Sequence, residues 1–138
     1  MSWYERWLVL LTRLVAVVLM AAFPAMFLPY DWMNAGHQFL GMGELPANPL
    51  TGYLTRSIAA LYGFHGVLYL YLSFDVRRHL SVLRFVACMS LLFGIAMLAI
   101  DLYEGMPWFW TATEGPSIIV TYGLLVWLCG KVAAERSP

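Results

Sequence analysis

Charge is what this chain has least of. Only 12% of its 138 residues are Asp, Glu, Lys or Arg, about half the share of an ordinary soluble domain. Eight basic and eight acidic residues cancel, so the chain lacks the basic footprint that binds nucleic acid. Cysteine is almost missing as well. The two present, Cys88 and Cys129, both fall in apolar stretches, form no zinc-spaced set and suit small buried thiols better than a disulfide. There is no internal repeat, low-complexity tract or Gly-rich phosphate loop. Disorder is excluded because 62% of the residues are hydrophobic, and a disordered chain needs few apolar residues and a high net charge.

Those apolar residues gather in four stretches, at about 7–28, 54–74, 83–102 and 117–134. Each is close to the roughly 20 residues a helix needs to cross a hydrocarbon core of about 30 Å. The expectation is all-α: an integral membrane, antiparallel four-helix transmembrane bundle forming one domain over 1–138. The first stretch is too long for the apolar core of a signal peptide, and Arg13 and Pro24 interrupt it. It reads as a retained helix.

The few charges set an orientation. With the N-terminus in the cytoplasm, Arg6, Arg13, Arg77, Arg78, Arg84, Lys131 and Arg136 lie inside, and Arg56 alone lies outside. That asymmetry is the positive-inside pattern, and it predicts two cytoplasmic termini. Glu5, Asp75 and Glu135 join the inner side; Asp31, Glu44, Asp101, Glu104 and Glu114 join the outer. A neutral chain thus resolves into a +4 face and a −4 face. Arg13, Arg56, Arg84 and Lys131, near span ends, are expected to snorkel toward headgroups.

The connections are unequal. In the long first one, Asp31–Leu40 suits a short interfacial helix, followed by irregular turn material. The second, Asp75–Val82, is short and basic, with Asp75 and Arg78 placed to pair. The third, Tyr103–Pro116, holds Tyr103, Trp108, Phe109 and Trp110, the composition of an aromatic belt. The last helix is expected to start at Thr113–Pro116, with Thr113 as cap and Pro116 in the first turn.

Within the spans, small residues mark packing faces. Ala59, Gly63 and Gly66 share one face of the second span; Ala87, Ser90 and Gly94 form a stripe on the third that continues to Met97 and Asp101. These two faces are expected to pack on each other. The polar candidates are few. His65 is the only histidine at span depth, and Tyr62 and Tyr69 share its face. Such a group is a functional candidate, but His37 and His79 lie in loops and supply no second haem ligand. The alternatives are a structural histidine held by a tyrosine or carbonyl, or a proton relay or quinone contact. Arg56 is expected to pair with Asp101 or Glu114 at neighbouring helix ends; an anion site at Arg56, or a metal site of His37 with carboxylates, is the alternative. No metal-ligand spacing is present.

From the second span onward, the strings LTRSIAALYGFHG, SFDVRRH, GIAMLAIDLYEGMP and TEGP resemble small bacterial four-helix membrane proteins of the DoxX-like group. The resemblance implies a compact bundle in the bacterial inner membrane, some members of the group being accessory subunits of quinone-linked sulfur oxidation. No catalytic motif of the group maps onto positions here. The functional expectation is a non-enzymatic accessory or interaction subunit without cofactor, in contact with the lipid bilayer and other membrane subunits or its own copies. A quinone-associated redox subunit and a small-molecule or ion transporter are the alternatives.

Overall fold

The computed structural model describes residues 1–135, so Arg136, counted above among the inner charges, lies outside the described residues. The described chain is all-α. It comprises α1 (Trp3–Met20), a 3-10 turn (Phe23–Phe27), α2 (Tyr30–Phe39), α3 (Pro49–Ser73), α4 (Leu80–Glu104) and α5 (Trp108–Ala134). Among the described residues three helical segments are long and apolar enough to cross a membrane: Trp3–Phe27, Leu80–Glu104 and Trp108–Ala134. With 25 residues, α3 has the length, but Arg56, His65 and its tyrosines make it less apolar than the other three.

The chain's contacts gather into two compact units, Leu14–Leu70 and the combination of Met1–Arg13 with the chain from Tyr71 onward. In the second of these, α4 and α5 form an antiparallel pair. The buried residues of α4 are Leu80, Leu83, Ala87, Ser90, Gly94 and Asp101, recurring every three or four positions as one helix face must. On α5 the matching stripe is Gly115, Tyr122, Leu125, Leu128, Cys129 and Val132. The two stripes meet at glycine. A Cβ added to Gly94 would stand 2.6 Å from Ile118 Cγ2, and one added to Gly115 would stand 2.7 Å from Leu98 Cβ and 3.0 Å from its Cα. Helices this close gain dispersion contact along their length, the main attraction open to apolar helices in lipid.

The small stripe on α4, expected to pack on the small face of α3, meets α5 within its own unit. In the unit 14–70, the small face of α3 meets the end of the first helix. A Cβ on Gly66 would lie 2.8 Å from Ala16 O, and one on Gly63 would lie 2.5 Å from the Phe23 ring. Ala59 on the same face is 6% exposed. A stripe of small residues shows that something approaches closely, but it carries no information about which neighbour does.

Several ends also differ from expectation. The belt-like loop is largely helix: α5 begins at Trp108, behind the N-cap Pro107, and Pro116 lies inside it. Thr113 is no cap. Its hydroxyl donates back to Phe109 O at 2.7 Å, and that of Ser117 donates to Glu114 O at 2.9 Å. Hydroxyls bonded back to the preceding turn in this way often bend a helix. The turn from α4 to α5 is then short, with Gly105 in the left-handed region at φ 68° closing α4. The expected short helix after Pro29 is present as α2. Irregular chain follows it, held by Asn34 Oδ1 accepting from Leu45 N and by the Tyr30 hydroxyl donating to Leu45 O.

One end of the second unit is tied by polar contacts. Ser2 and Glu5 form a reciprocal cap: Glu5 N donates to Ser2 Oγ at 3.2 Å, and Ser2 N donates to Glu5 Oε2 at 3.3 Å. The same carboxylate pairs with Arg77 Nη2 at 2.8 Å, and this hydrogen bond, together with the carboxylate's charge, holds the Arg77 guanidinium above its ordinary pKa. Tyr4 meets Trp127 edge-on at 5.9 Å, and Lys131 Nζ stands 5.6 Å from the Trp127 ring. Asp75 takes the backbone N–H of Arg78 at 3.0 Å, an Asx-type turn in place of the expected side-chain pair.

The glycine contacts generate a sharp contrast. Gly115→Ala should destabilise the protein by about 1–3 kcal/mol, because the Leu98 backbone must shift. Gly123→Ala, where nothing lies within 4 Å, should leave the thermal midpoint in detergent unchanged or raise it. Equal midpoints for the two variants would contradict the close approach.

Candidate functional site

The candidate residues fall into three places. The first is the turn between α4 and α5. Asp101 continues the buried stripe of α4 and is 3% exposed, although its place near the helix end marked it as a rim acid. Its carbonyl oxygen receives N–H groups from the closing turn, Met106 N at 3.0 Å among them. Its carboxylate oxygen Oδ2 is buried without a hydrogen-bond partner among the described residues. A buried carboxylate oxygen without a partner is costly to the fold. Asp101 borders an open cleft of about 480 Å³ whose other walls include Leu98, Leu102, Trp108, Thr111 and Pro116. Glu114, half-buried on α5, accepts from Trp110 Nε1 at 2.6 Å, which gives that tryptophan a structural task inside the helix.

The second place is α3. His65 and Tyr69, one helical turn apart, meet edge to face with ring centroids 5.1 Å apart. Tyr69 is fully buried and His65 half-buried. Tyr62, half-buried one turn earlier, completes the polar face read from the spacing. The third place is Arg56. Its Nη2 donates to Leu28 O at 3.0 Å, at the end of the 3-10 turn where a carbonyl needs a donor. The one ion pair among the described residues joins Arg77 and Glu5.

Cys88 and Cys129 are both free thiols. Among the described residues no three His, Cys, Asp or Glu side chains gather closely enough to hold a metal ion. Comparison with family models, curated proteins and solved structures returns no match.

Sequence reasoning missed the reciprocal Ser2–Glu5 cap and the burial of Gly115. The first carried a signal, Ser-x-x-Glu ahead of an apolar run. The second did not, because the α5 region around Gly115 was read as a helix start, where glycine needs no packing explanation.

A carboxylate buried without a partner should be a net cost to the fold. Asp101→Asn is expected to keep or raise the thermal midpoint of the detergent-solubilised protein. A fall of many degrees would show that the charge itself holds a structural partner.

Proposed function

We propose that this is a four-helix membrane protein with α3 as the fourth span, both termini in the cytoplasm, serving as an accessory or interaction subunit in a bacterial inner membrane. The observation that carries the reading is unsatisfied apolar surface. In the three spanning segments only 22%, 22% and 28% of the most apolar stretch is buried within the chain. The remainder needs lipid or the helices of another subunit. The charge asymmetry supports the orientation, and the resemblance to the DoxX-like group supports the compartment and the accessory role. Within their unit Glu5 pairs with Arg77 and Tyr4 meets Trp127, contacts that support a reading with both termini on one side.

Purification in a gentle detergent tests this directly. The expected result is a second membrane protein, or a second copy, recovered at fixed stoichiometry. A monomer that turns over a substrate and loses that turnover on His65→Ala while still folded would refute the accessory reading.

One observation favours a second reading, a small transporter for an ion or a cationic small molecule. Asp101 is a buried carboxylate with an unpartnered oxygen beside a cleft, and embedded acids mark transport paths. In proteoliposomes this reading predicts uptake that Asp101→Asn abolishes; uptake unaffected by that substitution removes it.

A further inference from the structure

At the opposite end of the α4–α5 pair lies a second cleft, of about 560 Å³, which none of the groups discussed above explains. It opens between the first turns of α4 and the last turns of α5, and its walls include Arg77, Arg78, Arg84, Ser81, Phe85 and Cys129. Three guanidiniums border one hollow in a chain with only eight basic residues. Glu5 holds Arg77, and Glu135 also acts on it. Arg78 and Arg84, both exposed, carry no ion pair among the described residues. The start of α4 has no side-chain cap, so the positive end of that helix adds to the same field.

We infer that this cleft binds the phosphate of an anionic phospholipid, with Arg78 and Arg84 as its principal ligands. Guanidinium groups match phosphate oxygens in forked, charge-assisted pairs. Basic hollows between membrane helices recognise lipid headgroups by this chemistry. What selects a lipid over free phosphate is the adjoining surface. Phe85, Met89 and Leu92 are 63%, 45% and 57% exposed, and their spacing of four and three places them on one face of α4. That apolar track begins at the cleft and leads away along the helix, as acyl chains below a bound headgroup would run. The assignment holds for either orientation of the chain and does not depend on the accessory role.

The test is native mass spectrometry of the full chain, delipidated in detergent, with phosphatidylglycerol and phosphatidylcholine of identical acyl chains. One phosphatidylglycerol should remain bound, at least about fivefold more tightly than phosphatidylcholine. Arg78→Gln with Arg84→Gln should weaken it by roughly tenfold. Lys131→Gln, a basic residue outside the cleft, should leave it unchanged. Equal retention of the two lipids by the native chain overturns the inference without any variant, should the double substitution fail to fold. Retention by a folded double variant, or an equal loss on Lys131→Gln, overturns it also. Displacement of phosphatidylglycerol by millimolar inorganic phosphate would show a free-phosphate site and reject the lipid.

Discussion

The closeness of α4 and α5 is the constraint on which the rest of their unit depends. Water gives soluble helices a reason to hide apolar faces from solvent, but hydrocarbon does not, so two greasy helices attract only as far as their atoms can touch. Gly94 and Gly115 remove the side chains that would hold the backbones apart. Placing one glycine on each helix lets Ile118 lie over the first and Leu98 over the second, so each gap is filled from the opposite side. With that spacing set, Asp101 is carried into the interface by its position on the stripe, and a hollow is left near each end where the packing stops.

Much of this was legible from residue order, for reasons that differ by element. The third apolar stretch, read as 83–102, became α4 at Leu80–Glu104, and the second, read as 54–74, became α3 at Pro49–Ser73. Length and apolarity dictate such helices irrespective of neighbours. The start of α5 was misread because Pro116 is equally consistent with a first turn or a bent interior. The two differ only in whether Trp108–Gly115 is helical, and in the structure it is. The pairing of small faces was misread because any glycine stripe fits any close neighbour. Which helices adjoin is a property of the turns between them, and the short turn at Gly105 favours α4 with α5.

The candidate site shows the same division. His65 and Tyr69 were legible because they share one helix, where the period alone brings i and i+4 together. Arg56 was not, because a guanidinium can satisfy any carbonyl within reach, and Leu28 O is invisible as a partner in the sequence. Asp101 was placed on the correct stripe, but its burial follows from α4 continuing past it to Glu104. An acid one turn before a helix end is a rim group or an interior group according to where the neighbouring helix begins.

The short turn at Gly105 has a consequence for assembly. Leu98 and Gly115 are close in sequence as well as in space, so bringing them together closes only a small loop and loses little chain entropy. Contacts of such short range form early. The α4–α5 hairpin is therefore a unit that can zip up from its turn before the N-terminal residues have found their places. The Glu5–Arg77 pair, which must close a loop of more than seventy residues, carries the larger loop-closure cost and acts as a clasp on that hairpin.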